Sequence, residues 1–291
     1  MTIRLLATDL DGTFLGHDGT VSARNLQALH DARAAGLDVM FVTGRPPRWL
    51  PNVIAQTSFD GLIVSANGGI VVDAGKREVI QTFPIATALA LEAIDRVMAV
   101  IPGCEFGVER STVGMRLANT GDINPYVGVE YSPNGEFAMT PGYKPHGATA
   151  GNVPIGDVHD LVQDDRAVKM VLRPTVGEWD VDELLAVVHE QVDGLLQATH
   201  SSVMDVLIEF SAVGVTKGST LAQVATQRGY APHEVAAVGD MPNDVPMLQW
   251  AGSPFVMRNA HPSLFEQFGT VIGSHDEDAV GQLLMELAGA L

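Results

Sequence analysis

Four short polar clusters hold the residues whose types and spacing could do chemistry. In Asp9-Leu10-Asp11-Gly12-Thr13 two carboxylates stand two residues apart. In an extended segment such residues share one side, so both can converge on one point before Gly12 lets the chain turn away. Thr43-Gly44-Arg45 brings a hydroxyl, a freely approached backbone N–H and a guanidinium. Gly239-Asp240-Met241-Pro242-Asn243-Asp244 adds two more carboxylates and an amide, and Lys217 follows Val213-Gly214-Val215-Thr216. Singly, each aspartate reads as a turn former or helix cap, Lys217 as a solvated lysine and Thr43 as a loop hydroxyl. Together, the carboxylates would repel one another strongly unless a divalent cation neutralised them. Oxygen-only ligands with no His or Cys beside them point to Mg²⁺ rather than zinc.

Convergence needs elements that end at these clusters. Residues 3–8 read as an apolar strand, and Ser22 caps a helix carrying Leu26 and Leu29 that stops near Gly36. A strand over 37–42, a helix over 48–56, a strand over 61–65 and a hairpin with arms 70–72 and 78–83 follow. Late in the chain come a helix over 217–229, a strand over 234–238, a helix over 245–250, a strand over 253–257 and a helix over 279–288. Unbroken apolar strands alternating with helices predict an α/β fold, a doubly wound parallel sheet covered on both faces. Ligands of such sheets bind beyond the carboxyl ends of the strands, where the polar clusters stand.

Between these stretches the texture changes to a helix over 86–100, short strand-like pieces at 114–118 and 168–172 with Gly- and Pro-rich joints, and a helix over 181–192. This reads as an inserted α+β unit over 84–200, which leaves 1–83 and 201–291 as one core.

The chain has 291 residues, 46% of them apolar, enough for a sizeable core. A net charge of −18 argues against the basic face of a nucleic-acid or anionic-membrane binder, so neither partner is expected. The single cysteine, Cys104, excludes an internal disulfide and any Cys-rich metal centre, and reads as a packed small hydrophobe. No run of about 18 apolar residues is present and the first residues lack signal-peptide features, so the expected compartment is the cytoplasm.

The clusters at Asp9–Thr13, Val42–Arg45, Thr216–Ser219 and Gly239–Asp244 resemble, in order and interval, the four motifs of the haloacid dehalogenase (HAD) superfamily phosphohydrolases. The spacing is similar to that of the Cof-like branch with a class IIB cap, which lies between the second and third motifs. The likeness covers the core at both ends; the inserted unit matches in position and size only. Ser65-Ala66-Asn67-Gly68-Gly69 and Met257-Arg258-Asn259-Ala260 also resemble this branch. The resemblance implies that Asp9 attacks phosphorus to give an aspartyl-phosphate, while Asp11 protonates the leaving alkoxide and then deprotonates the hydrolytic water. It implies Mg²⁺ held by Asp9, the backbone carbonyl of Asp11 and Asp240, with Asp244 and Asn243 in support. Lys217, Thr43, the Gly44 N–H and Asn243 would meet the phosphate. Dehalogenase members lack a carboxylate at the Asp11 position, so its presence favours a phosphoester. Met241-Pro242 and Arg258 depart from the common pattern without removing a ligand.

The remaining candidates have two readings each. Asn67 is a turn residue or a substrate contact, and Arg45 binds an anionic substrate group or pairs with an acid. Glu105, Glu109, Arg110, Arg116 and Asn119 select substrate or face solvent. His17, His146, His200 and His261 read as solvated or capping residues, Met98 and Met170 as core. The function expected from the resemblance is a Mg²⁺-dependent phosphatase acting on a small phosphorylated metabolite, a sugar phosphate or nucleotide-type cofactor. A sugar phosphomutase using the same aspartyl-phosphate and a non-catalytic phosphoryl-accepting module are the alternatives. No oligomeric state follows from the sequence.

Overall fold

The computed structural model describes residues 2–117, 130–132, 136–145, 149–151 and 153–290. Its larger sheet has seven strands: β1 (Leu5–Thr8), β2 (Asp38–Val42), β3 (Leu62–Ser65), β4 (Ile70–Asp73), β5 (Glu78–Thr82), β13 (Val235–Gly239) and β14 (Ser253–Val256). Their order is β14-β13-β1-β2-β3-β4-β5; the first five run parallel, and β4 and β5 form the antiparallel hairpin expected from the sequence. Every residue of β1 and β13 is buried, which requires cover on both sheet faces and explains why their sequences show no polar alternation. Helix α1 (Ala23–Ala34) packs on α9 (Ala279–Ala288), and α6 (Lys217–Gln227) on α7 (Val245–Trp250); α2 (Leu50–Thr57) follows β2. Ser22 caps α1 as expected, its hydroxyl accepting the Asn25 backbone N–H at 3.0 Å.

The inserted region forms a separate antiparallel sheet, which fits a cap. It contains β6 (Cys104–Arg110), β8 (Phe137–Met139), β10 (Ala167–Pro174), β11 (Leu196–Thr199) and β12 (Ile208–Ala212), in the order β11-β12-β10-β6-β8. Helices α3 (Thr87–Val100), α4 (Val158–Leu161) and α5 (Val181–Val192) cover it, and β7 (Glu130–Ser132) pairs with β9 (Thr149–Gly151) in a two-stranded sheet. The helix α8 (Pro262–Phe265) completes the set of α elements.

Several expectations change. Residue 201 was expected to begin the return to the core, whereas β12, further along, pairs with β10 and β11. Its alternation explains this: Ile208 and Phe210 join the cap core, while Glu209 and Ser211 take the opposite face. Residues 114–117 form no strand beyond an isolated bridge from Arg116 to Glu78, and Ala118 lies outside the described residues. Met170 is core, but Met98 is 42% exposed on the outer side of α3. Cys104 is buried, as its apolar reading requires.

Candidate active site

The site is assembled where β1, β2, β3 and β13 end. The Asp9 backbone N–H still donates to the Val238 carbonyl at 3.0 Å, so the residue is tied to β13 just beyond the regular strand. Gly12 has φ 74°, and a Cβ there would strike the Asp240 carboxylate; glycine alone permits both the turn and the close approach. Pro242–Asp244 makes a tight 3₁₀ turn in which Asp244 Oδ2 accepts the backbone N–H groups of Asp240 at 2.9 Å and Met241 at 3.0 Å. The Met241-Pro242 departure is thus accommodated in the turn that orients Asp244. Thr216 caps α6 through a reciprocal capping box with Ser219, which delivers Lys217 as the first helical residue.

Lys217 is buried and its Nζ donates to Asp9 Oδ1 at 2.7 Å and Asp244 Oδ1 at 2.6 Å. Asp9, Asp240 and Asp244 offer carboxylate oxygens all within 4.8 Å of one another, and all three are buried. Thr13 donates its hydroxyl to Asp240 Oδ1 at 3.0 Å. Burial pushes the Asp9 carboxyl up to about 7 against the pull of Lys217, and the charges of Asp244 and Asp11 add to the rise. Burial, then Asp9 and Asp244, holds Asp240 well above the usual carboxylate range. Burial opposes the charge of Lys217, but Asp244 and Asp9 outweigh it and raise its pKa. One ammonium among three buried carboxylates leaves uncompensated negative charge. An all-oxygen donor set of that kind fits a hard divalent cation. The Asn243 side-chain oxygen, buried without a hydrogen-bond partner among the described residues, adds a further acceptor to the same turn.

Asp11 lies apart from this triad. Its side chain is 54% exposed and accepts two hydrogen bonds from Arg45, Nε to Oδ2 at 2.7 Å and Nη2 to Oδ1 at 2.5 Å. Arg45 therefore takes the acid-pairing reading in this structure. Thr43 is buried, and its hydroxyl accepts the Arg45 backbone N–H at 3.1 Å. Asn67 sits in a 3₁₀ turn after β3 with φ 55° and connects two partners: Oδ1 accepts from Asn243 Nδ2 at 3.0 Å, and Nδ2 donates to Glu209 Oε2 at 2.8 Å. Arg258, the other departure, pairs with Glu277 at 2.8 Å and is 63% exposed.

Two residues of the cap sheet that sequence reasoning missed complete this network. Lys169 of β10 donates Nζ to the Gly44 carbonyl at 2.8 Å and pairs with Glu209 of β12; both side chains are buried. Burial alone would raise the Glu209 carboxyl, but Lys169 and then Asn67 hold it below its ordinary value. A Cβ on Gly44 would lie 3.0 Å from Asn67 Oδ1 and 3.7 Å from Glu209 Oε2, so the chain closes tightly around the phosphate-loop position. The signal was present: a lone charge inside an apolar strand, Val168-Lys169-Met170 and Ile208-Glu209-Phe210, is rarely buried unless paired. Of the other cap candidates, Glu109 binds Arg48 in a buried bidentate pair, Nε to Oε2 at 3.1 Å and Nη2 to Oε1 at 2.5 Å. Glu105 accepts the Gly142 N–H at 3.2 Å, Arg110 donates to the Leu161 carbonyl, and Arg116 is exposed. Asn119 and His146 lie outside the described residues.

The histidine expectation holds for the exposed His17 and for His261, which caps α8 by accepting the Ser263 N–H. It fails for His200, which is fully buried and bound to Asp182 at 2.9 Å.

This arrangement, a parallel sheet with an acidic pocket at its carboxyl end and an inserted cap above it, is that of the HAD phosphohydrolases. The family described as haloacid dehalogenase-like hydrolase matches residues 6–284, and the chain belongs to it. Its place is in the Cof-like branch, among enzymes that hydrolyse phosphoric monoesters. The chain is 24% identical over 288 residues to the pyridoxal phosphate phosphatase YbhA of Escherichia coli, covering 98% of each protein. It is 27% identical over 299 residues to the 5-amino-6-(5-phospho-D-ribitylamino)uracil phosphatase YwtE of Bacillus subtilis, again covering 98% of each. Among solved structures, the HAD subclass IIB sugar phosphatase BT4131 superposes with a TM-score of 0.72 at 17% identity, over 99% of this chain and all of that one. No helix among the described residues is long and apolar enough to cross a membrane.

Proposed function

We propose that this protein is a Mg²⁺-dependent phosphatase that transfers the phosphoryl group of a small metabolite to Asp9 and then to water. The observation that carries the reading is Lys217 bridging Asp9 and Asp244 inside a buried carboxylate triad, with Asp11 two residues beyond Asp9. An Asp9 oxygen attacks phosphorus, the bond from phosphorus to the ester oxygen breaks, and Asp11 gives that oxygen its proton. Asp11 then takes a proton from water, whose oxygen attacks phosphorus and releases Asp9 with inorganic phosphate. Lys217, Thr43, the Gly44 N–H and Asn243 meet the phosphoryl oxygens, where charge accumulates. Asp9, Asp240 and the Asp11 carbonyl would hold Mg²⁺, with Asp244 in support; the ion supplies neutralisation of charge on the transferring group.

The substrate is a phosphomonoester whose leaving group lies under the cap. On the sheet face carrying Lys169 and Glu209, Phe137, Met139, Tyr143, Val171 and Leu207 form an apolar cluster, with Arg48 over Phe137 at 4.6 Å and Arg173 over Tyr143 at 5.7 Å. These side chains are buried beneath the two guanidinium groups, so the choice of a leaving group with a flat ring, as in a nucleotide-type cofactor, is supported by the names of the two curated relatives.

The test is phosphate release from a panel of phosphorylated sugars, nucleotides and heterocyclic cofactors, with Mg²⁺, with EDTA, and with Asp9→Asn. Metal-dependent release confined to a few compounds and lost in Asp9→Asn is expected. Isomerised product with little free phosphate would identify a mutase, and a long-lived phosphoryl-Asp9 without turnover a regulatory module.

A further inference from the structure

A second group of metal-binding side chains lies outside the catalytic centre. Asp182, in the first turn of α5, accepts hydrogen bonds from two imidazoles: His200 Nε2 on Oδ1 at 2.9 Å and His261 Nε2 on Oδ2 at 3.1 Å. His200 follows β11 directly, whereas His261 caps α8 in the core, so the cluster joins the cap to the core. The two rings meet edge to face with centroids 5.6 Å apart. One ligand atom from each of the three residues lies within 4.8 Å of the others.

We propose that Asp182, His200 and His261 form a transition-metal site, of the Zn²⁺ class, that fastens the cap to the core. Two imidazoles and one carboxylate are the donors Zn²⁺, Co²⁺ and Ni²⁺ prefer, unlike the all-oxygen triad at Asp9. Bonds of about 2.0–2.1 Å in a tetrahedron place ligand atoms about 3.3 Å apart; the imidazoles now reach different oxygens of Asp182, at 2.9 and 3.1 Å, and one ligand atom from each residue lies within 4.8 Å of the others, so side-chain rotations bring the three onto one ion. Both rings now share an Nε2–H proton with the carboxylate; to bind the metal each gives up that proton at Nε2 and carries one at Nδ1, so the imidazoles ligate neutral. An outer partner stands beside one ring: His261 Nδ1 now accepts the Ser263 N–H and lies 2.8 Å from Ser263 Oγ, which can accept the ring proton once it moves to Nδ1 and leaves Nε2 to ligate. Burial fixes the other, since His200 is fully enclosed and its Nδ1 has no hydrogen-bond partner among the described residues. Asp182 is 54% exposed, so an ion can enter from solvent and keep a water as fourth ligand. The His261 backbone N–H also donates to the Asp240 carbonyl at 2.8 Å, which ties this site mechanically to the catalytic turn.

The experiment titrates Co²⁺ into the intact protein in the presence of excess Mg²⁺, with the visible ligand-field spectrum as readout. A four-coordinate site with nitrogen ligands gives intense bands, whereas six oxygens give weak ones. The expected result is an intense spectrum saturating at one equivalent, abolished by Zn²⁺, lost in His261→Ala and in Asp182→Ala, and retained in Asp9→Asn. Asp182→Ala leaves the Asp180 cap of α5 in place, so a folding defect at one position does not decide the outcome. A Zn²⁺-dependent rise in melting temperature, present in the natural protein and absent from both variants, is the second readout. Only weak bands with all three side chains intact, or a spectrum unchanged by both substitutions, would overturn the proposal and leave the cluster as a proton-held contact.

Discussion

Arg45 holds both carboxylate oxygens of Asp11, at 2.7 and 2.5 Å. The group assigned to proton transfer is therefore engaged by a cation, and it must exchange that partner for the ester oxygen before it can act. The guanidinium fork makes the contact geometric as well as electrostatic, and its release frees a cation beside the phosphate loop. Arg45→Met is expected to lower kcat/KM roughly tenfold to a hundredfold through loss of positioning, while unfolding shifts by no more than about 1 kcal/mol because Asp11 is half exposed. Steady-state kinetics and a denaturant titration of the same preparation check both halves.

Asp11→Asn separates proton donation from nucleophilic attack. An activated aryl phosphate needs no proton on its leaving oxygen, so phosphoenzyme formation from it persists in the variant, whereas alkyl phosphates lose it by about 10²–10⁴-fold. Rapid-quench measurement of phosphoryl-Asp9 with the two substrate types reads the difference. Equal losses would remove Asp11 as the acid.

Charge repulsion among Asp9, Asp240 and Asp244 sets the response to metal removal. With Mg²⁺ held as proposed, a hundredfold excess over its Kd is expected to stabilise the protein by about 2.7 kcal/mol, read as a lower melting temperature in EDTA. Asp240→Asn removes one buried charge, so the metal-free variant melts above the metal-free parent while its response to Mg²⁺ is lost. Lys217→Met acts oppositely and strips the single cation from a buried carboxylate pair, at a cost of about 3–5 kcal/mol in EDTA.

Lys169 and Glu209 form one unit with the phosphate loop through Gly44 and Asn67. Lys169→Met leaves a buried carboxylate unpaired and is expected to destabilise by about 3–5 kcal/mol, whereas Lys169→Met with Glu209→Leu recovers most of that loss. Activity is not recovered with it, because Gly44 and Asn67 lose their cap partners in either case. A double-mutant cycle followed by both unfolding and kcat/KM shows whether the pair serves the fold alone.

Cys104 is buried, and burial raises its thiol to about 11. A raised thiol pKa means less thiolate at a given pH, here roughly a hundredfold less than for an ordinary cysteine at pH 8. Alkylation in native buffer is therefore expected to be slow and to become fast only in denaturant, a contrast that mass spectrometry reads directly.

The core was legible because its signals are local. An all-apolar strand ending in Asp9, or the Thr216-Lys217 start of a helix, is written in neighbouring residues, and the core helices α1 and α9 fall where the apolar period places them. The cap sheet was mostly not legible. Its central pairing joins β6 to β10 across about sixty residues, as Val108 does with Met170, and no local residue names a partner. Lys169 and Glu209 carried a signal as lone charges inside apolar strands, but not the name of a partner: the meaning of each depends on the other and on Gly44. The Arg45 pairing, in contrast, was among the readings left open, and only the position of Asp11 decides it.

The placement of β1 between β2 and β13 also bears on how the chain is made. Leu5 pairs with Asp38 on one side and with Val235 on the other, so one edge of this interior strand finds its neighbour only after about 230 further residues have been made. At about 5–20 residues per second that wait is on the order of ten seconds to a minute. Through that interval β1 has β2 on one edge and an open row of backbone hydrogen-bonding groups on the other. Asp9 and Lys217 meet only after residue 217 has been made, so a translation product that stops short of it lacks a complete pocket.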